Sequence, residues 1–427
     1  MRRVRSFEPW MISNLVSGAV MGAFVVLLIP PFITEVTGSA ARVGVVFAVM
    51  SLAGLTGPAV ARVADRFDAH RVVYTAAFAA MAVAFAVLAL DVTAEIYSPI
   101  AGILLGAGIS AKAVIGSGFL VGSGLPEAMQ ARQLTVFNLM IFGGQLVGGL
   151  LVTGLHLAGM STLTQFWLVA ALIAAAAVFT WFTTALPESR LRAAAQGEPG
   201  GARVGVAVTG PAGAAHAPAR PRMLRSPFAA LIAAIAFTAI GMSVLSSQIA
   251  NILPAVFSIS ATTTSVLVAT AGLLGVPAVI VSGVWLGRSG AAPALALSLV
   301  VRAAGFVLLA LIGLAAGGPA VASLAGVLYL VVVVTSSLQR SPLPRAAALL
   351  SHGSPSEANG LVNAAGAAGA FIGCLGAGII AEAWSYEAVL WFAGAAAAAA
   401  ALFVPSIVRA LRRSAGDDAV HAVSPTP

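Results

Sequence analysis

The chain has 427 residues, of which 60% are hydrophobic and only 8% charged. A soluble domain carries roughly 25% charged residues, so this chain could not cover a water-facing surface, and lipid must be its solvent. The net charge of +8 sets 21 Arg and one Lys against 14 acids, and most of the basic residues sit in short loops with no continuous basic face, which argues against a nucleic-acid partner.

A membrane core needs about 20 apolar residues per helix. On that measure the chain predicts spans near 10–33, 42–63, 72–91, 98–121, 132–155 and 163–185, and a second set near 228–253, 262–287, 292–315, 320–339, 358–381 and 387–409. The opening MRRVRSFEPW has the look of a signal peptide. Its apolar run continues to about Phe32, longer than a signal core, and is read as an uncleaved first span. Residues 187–227 are rich in Gly, Ala, Pro and Arg with no sustained apolar period, which predicts a disordered linker. The expected organisation is a bundle over 1–186, the linker 187–227, a second bundle over 228–410 and a tail over 411–427.

Positive charge sets the orientation. With the first residue inside, 19 arginines fall on the inner side and only Arg42 on the outer, while Lys112 and Arg302 lie within spans. Both termini are therefore expected in the cytoplasm of a cell whose inner membrane holds the chain. Adding 222 to each of the first six spans makes it overlap the corresponding span of the second set, in order. That is a parallel repeat of two six-helix halves, and substrate sites in such folds lie near the midplane between repeats. The fold class expected is all-α, with twelve transmembrane helices in two pseudo-symmetric six-helix bundles.

Between spans 2 and 3 the chain reads Ala61-Arg62-Val63-Ala64-Asp65-Arg66-Phe67-Asp68-Ala69-His70-Arg71. At the shifted position it reads Gly283-Val284-Trp285-Leu286-Gly287-Arg288-Ser289-Gly290. Together they resemble the Gly-x-x-x-Asp-Arg-x-Gly loop signature of the major facilitator superfamily. Asp65, Arg66 and Arg71 match in the first copy, and Gly283, Arg288 and Gly290 in the second. Ala61 and Asp68 replace glycines, and Gly287 replaces the acid. The resemblance implies a gating role for Asp65, Arg66, Arg71 and Arg288. A carboxylate at a helix end can face the positive N-terminus of another helix, here span 11, entered through Ser354-Pro355-Ser356-Glu357 in the form of a capping box. The plainer reading is a solvated positive-inside loop.

Span 4 carries Lys112-Ala-Val-Ile-Gly116-Ser117-Gly118, similar to the Arg-x-x-x-Gly-x-Gly of drug and proton antiporters in that superfamily, with Lys in place of Arg. Span 5 carries Gly144-Gln145-Leu146-Val147-Gly148-Gly149, where the antiporter signature has Pro at the position of Gln145 and a Gly at Met140. Span 6 ends Leu186-Pro187-Glu188-Ser189, also similar to the family. Gly116, Gly118, Gly144, Gly148 and Gly149 are expected to let helices pack closely. A charge at the membrane centre costs about 2.5–3.5 kcal/mol on insertion scales, which makes Lys112 the leading substrate-site candidate; structural pairing is the alternative.

Other polar residues fall on shared faces: Ser13 and Ser17 with Asn14 beside them, then Ser243, Ser247 and Asn251 with Gln248 beside them, then Asn138 and Gln145, with Asn363 in span 11. Each is a candidate cavity residue or an interhelical hydrogen bond. Arg302 is a weaker cavity candidate. Glu8, Glu35, Asp91, Glu95, Glu382 and Glu387 sit at span ends or in loops, leaving no obvious buried proton carrier. The single cysteine, Cys374, excludes an intrachain disulfide, and the five histidines lack partners at metal spacing, so no metal site is expected.

The resemblance implies a secondary transporter working by alternating access, with export of a small amphiphilic, neutral or anionic compound as the first reading. An uptake permease or facilitator is the nearest alternative, and a non-transporting receptor or an intramembrane enzyme represents another class. No catalytic residue is assigned, because no His lies within a span to activate a serine. No cofactor is expected beyond a coupling proton, and a monomer in the bilayer is the expected state.

Overall fold

A computed structural model describes residues 7–90, 97–121, 127–196, 226–315, 318–351 and 355–423. Among these, twelve helices are long and apolar enough to cross a membrane. They are α1 (Pro9–Thr37), α2 (Ala40–Phe67), α3 (His70–Leu90), α4 (Tyr97–Leu120), α5 (Arg132–Leu157), α6 (Thr162–Thr183), α7 (Pro227–Phe257), α8 (Ala261–Ser289), α9 (Ala291–Ile312), α10 (Pro319–Leu338), α11 (Ala358–Ala383) and α12 (Tyr386–Arg413). Each contains an 18-residue window of mean hydropathy 1.7 to 2.5. In lipid every backbone N–H and C=O must be satisfied internally, and the helix does this within one segment. All twelve predicted spans are present, with ends displaced by a few residues.

Local chemistry sets the boundaries. The Ser39, Ser161 and Ser385 hydroxyls accept from the backbone N–H of Arg42, Thr164 and Ala388, starting α2, α6 and α12 as N-caps. Helix α1 ends at Gly38, whose φ of 68° suits glycine. Asp68 closes α2 in the same left-handed region at φ 49°, a conformation that Asp tolerates better than most residues. Within α1, a widened π-helical turn covers Val20–Phe24.

Two segments differ from the sequence expectation. The first residues of the predicted linker form a helix, Ala185–Gln196, continuing from the end of α6. Its Leu-Arg-Ala-Ala-Ala-Gln run favours helix, and two tertiary contacts described below hold it. The predicted tail likewise continues as helix over Val404–Val423. The rest of the linker, 197–225, and the last residues, 424–427, lie outside the described residues.

The chain divides into two compact units. The first comprises Met1–Thr209, Ser247–Pro254 and Ile259–Leu273; the second comprises Gly210–Ser246, Ala255–Ser258 and Leu274–Pro427. In the first unit α1 and α5 cross at very close range. A Cβ at Gly18 would collide with the carbonyl of Ile141, one at Gly144 with the carbonyl of Leu15, and one at Gly148 would lie 2.8 Å from the Cα of Ala19. Gly22 faces the Gln145 side chain. Both helices thus present glycines four residues apart, the spacing that lets backbones touch in lipid. Gly102 and Gly106 of α4 meet the carbonyls of Val46 and Met50 on α2, and Gly108 meets Ala77 on α3.

The second unit repeats the device. Gly369 of α11 lies against the carbonyl of Ala236 on α7, and Gly373 against Ser243 and Ile240. Beneath this crossing Phe228, Leu231, Leu295, Leu299, Val362, Ile407 and Leu411 form one buried cluster, joined by Ala346, Ala347 and Leu350 of the short helix Pro342–Leu350.

Gly143 offers a control for the glycine crossing, because a Cβ there meets nothing within 4 Å. Gly144→Val should destabilise the protein by about 1–3 kcal/mol or more through overpacking. Gly143→Val should stay within about 0.5 kcal/mol. Thermal unfolding in detergent compares the two, and equal effects would remove the crossing as the cause.

Candidate functional site

The first unit gathers charged and polar residues around a group of buried rings. Lys112 of α4 is 3% exposed, and its Nζ stands 5.1 Å from the centre of the Phe137 ring on α5. No carboxylate among the described residues lies within ion-pair distance of it. A cation over a ring face gains about 0.5–2 kcal/mol, which offsets part of the cost of burying the charge.

Phe137 belongs to a cluster with Trp10, Tyr74 and Phe119. The Trp10 ring centre lies 6.0 Å from Tyr74, 5.6 Å from Phe119 and 5.7 Å from Phe137. Gly116 makes room for it: a Cβ there would lie 2.8 Å from Phe137 and 3.2 Å from Tyr74. One turn below Lys112, the glycine of the motif is therefore a seat for rings. Gly118 is buried nearby on the same helix.

The polar residues of α1 attach to this cluster. Ser13 is hydrogen-bonded to the Tyr74 hydroxyl at 2.9 Å and donates to the Trp10 carbonyl at 2.6 Å. Asn14 donates to the Phe137 carbonyl at 2.9 Å, while its Oδ1 is buried without a partner. Ser17 is buried one turn further on. Asn138, next to Phe137, is half-buried.

The sequence places Glu8 at a span end and expects no buried carboxylate. Glu8 does stand directly before α1, but the structure buries its carboxylate. Glu8 is 6% exposed and accepts from Trp10 Nε1 at 2.9 Å, Gln133 Nε2 at 3.2 Å and the Arg190 guanidinium. Arg190 belongs to the helix after α6. On the same helix Glu188 accepts from the Arg71 backbone N–H at 3.4 Å. These two contacts explain why the start of the linker is ordered.

Of the gating candidates, Asp65 meets His70 Nε2 at 2.8 Å. Asp68 is 3.9 Å from His70 Nδ1, which is buried without a hydrogen bond. Arg71 donates from Nε to the Trp181 carbonyl at 2.7 Å and stacks 4.2 Å above the Trp181 ring. Arg66 lies over Phe67, and Arg288 is exposed. Helix 11 does begin near the predicted capping box, at Pro355, but Ser354 and the side chains through Glu357 lie outside the described residues.

A second polar group lies elsewhere in the first unit. Gln248 donates to the Ala40 carbonyl at 3.3 Å, and Asn251 donates to Thr34 at 3.0 Å and to Gln248 at 3.1 Å. Gln145 donates to the Val268 carbonyl at 3.3 Å, while Gly149 packs against Ala269. Ser247 is fully buried in this region.

The second unit holds Ser243, Asn363 and Arg302. Ser243 bonds back to the Ile240 carbonyl at 2.9 Å and faces Gly373. Asn363 is exposed. Arg302 is 2% exposed; it donates to the Thr335 carbonyl at 3.3 Å, and its Nε has no partner. Arg302 thus ties α9 to α10.

The structure joins Lys112, Ser13, Asn14 and Gly116 in one neighbourhood and leaves Gln248, Asn251 and Arg302 in others. Glu8, Trp10, Tyr74, Phe137 and Arg190 were missed. The available signal was Glu8-Pro9-Trp10, an acid and an indole at the very start of the first span, where polar and apolar solvents meet. Among the described residues no group of three or more His, Cys, Asp or Glu could hold a metal ion.

No curated protein matched the chain. Solved structures share its fold. The nucleoside transporter NupG superimposes with TM-score 0.70 at 14% identity, covering 93% of this chain and 97% of that one. A bacterial homologue of the human lysosomal transporter Spinster gives 0.69 at 12% identity, covering 95% and 97%. A D-xylose–proton symporter gives 0.65 at 12% identity, covering 92% and 96%. The family described as Major Facilitator Superfamily matches residues 10–348, most of the chain. With twelve apolar helices, glycine-mediated crossings and this match, the chain belongs to the Major Facilitator Superfamily of membrane transporters.

Proposed function

We propose that the protein is a secondary transporter of small organic anions or amphiphiles carrying an anionic group, with Lys112 as the anion-binding residue. The observation that carries this reading is the burial of Lys112 against Phe137 with no carboxylate in ion-pair reach among the described residues. A buried ammonium without a counter-ion is a receptor for one. Asn14, whose Oδ1 is unpartnered, adds a polar contact beside the same ring. Export is the direction proposed, from the likeness of α4 to antiporters. The two compact halves of alternating access are assigned to 1–186 and 228–410, and Asp65, Arg66, Arg71 and Arg288 to the gate at their cytoplasmic ends.

Uptake is the second reading. It is favoured by Gln145, which stands in place of the antiporter proline and is committed to a packing contact with α8. One solved structure with this fold is a D-xylose–proton symporter.

The proposed membrane is the cytoplasmic one, with both termini inside. Reporter fusions within 197–225 and after Pro427 should both score cytoplasmic, and one at Glu95 external. Opposite results at the two cytoplasmic sites would overturn this topology.

In proteoliposomes loaded with a panel of radiolabelled organic anions, Lys112→Ala should reduce flux of the transported anion about 10- to 100-fold, the equivalent of one lost charge-assisted contact of about 1.5–3 kcal/mol. Lys112→Arg should retain binding. Undiminished flux in Lys112→Ala would reduce Lys112 to a structural residue.

Asp65→Asn weakens the contact with His70 and should shift a cysteine-labelling pair across the cytoplasmic ends toward the inward-open pattern. Unchanged labelling with normal expression would leave Asp65 as a loop residue.

A further inference from the structure

We propose that Glu8 is a positioning residue for Lys112: by fixing Trp10 and Gln133 it holds the aromatic cover that closes over the Lys112 ammonium. The inference deepens the reading of Lys112 as the binding residue, but its test does not depend on that reading.

The chain of contacts is continuous. Glu8 accepts from the Trp10 indole N–H at 2.9 Å on one carboxylate oxygen, and from Gln133 at 3.2 Å and Arg190 on the other. Gln133 lies on α5, one turn before Phe137, so the same carboxylate touches both the indole and the helix that carries the cation's ring. Trp10 is 1% exposed and packs on Tyr74, Phe119 and Phe137. Phe137 stands over Lys112.

In this arrangement Lys112 is covered. Phe137 covers one side of the ammonium, and it packs at a tilt on Trp10, which meets Tyr74 and Phe119 edge-on. The polar atoms that fix the cluster from outside are the Glu8 carboxylate on Trp10, Ser13 on Tyr74, and Asn14 on the Phe137 backbone. Glu8 alone among these carries charge, and Arg190, itself 25% exposed in side chain, holds it from a helix outside the twelve spans. A buried carboxylate bonded on both oxygens is a stiff anchor, because breaking one contact leaves a charge exposed to an apolar surrounding.

The sequence supplies the test. Lys112 is the only lysine in the chain, so amine acylation followed by peptide mass spectrometry reads its accessibility against the N-terminal amine alone. In membranes treated with acetic anhydride, wild-type Lys112 should react slowly. Glu8→Ala should raise its acylation rate at least fivefold. Arg190→Gln, which leaves Glu8 in place, should raise it by a smaller factor. Trp10→Phe, which keeps a ring but loses the N–H, should raise it as well, and Glu8→Gln, which can still accept from Trp10, should fall between Glu8→Ala and wild type.

Phe166→Ala serves as the control for general loosening. Phe166 packs on Phe32 and Phe85 in the same unit and touches neither Glu8 nor Trp10 in the contacts above. It should lower thermal stability and leave Lys112 acylation at the wild-type rate. Wild-type acylation in Glu8→Ala and Arg190→Gln would overturn the proposal. So would a rise in Phe166→Ala equal to that in Glu8→Ala. Fast acylation in Glu8→Ala together with undiminished anion flux in Lys112→Ala would keep the cover and discard the binding role of Lys112.

Discussion

The contact between α1 and α5 decides what the first unit can do. Gly18 and Gly22 on one helix and Gly144 and Gly148 on the other remove the side chains that would hold the backbones apart. Lipid provides no hydrophobic drive for helices to associate, so van der Waals contact at close range and hydrogen bonds must do it. Because the helices touch, a side chain as short as Asn14 reaches the Phe137 carbonyl across the crossing. The same approach sets Trp10 against Phe137 and brings Gln133 within reach of Glu8.

The second unit uses the same geometry with different chemistry. Gly369 and Gly373 bring α11 onto α7, as Gly144 and Gly148 bring α5 onto α1. The polar residue at that contact is Ser243, bonded within its own helix, and the buried cation of that unit, Arg302, sits away from it on α9. The repeat visible in the sequence thus extends to backbone packing but not to the cation. Lys112 sits beside the crossing of its unit, whereas Arg302 braces α9 to α10. That asymmetry is the physical ground on which the anion site is proposed in the first unit.

Charge placement follows the same economy. The Arg71 guanidinium stacks on Trp181 and donates to its carbonyl, Glu188 accepts from the Arg71 backbone, and Arg190 pairs with Glu8. Glu8 stands just before α1 and Trp181 near the end of α6, while Glu188 lies on the helix that follows α6. His70 has a carboxylate on one nitrogen and a second 3.9 Å from the other. Among the described residues no carboxylate pairs with Lys112, which stands over the Phe137 ring.

The sequence by itself determined the twelve helices, because a run of about 20 apolar residues in lipid has only one way to satisfy its backbone. It also determined the repeat of 222 residues and singled out Lys112, the one lysine, by the cost of its charge in an apolar span. The glycines of α5 were legible as packing residues, though not the helix they would meet. Only the tertiary structure decided that Glu8 is buried, that the linker opens as a helix held by Glu188 and Arg190, and that Gln145 is occupied in packing. Those outcomes depend on contacts between residues far apart in the chain: 182 positions separate Glu8 from Arg190, and 123 separate Gln145 from Val268. Hydropathy reads the solvent around each segment, and it carries no information on which segments touch.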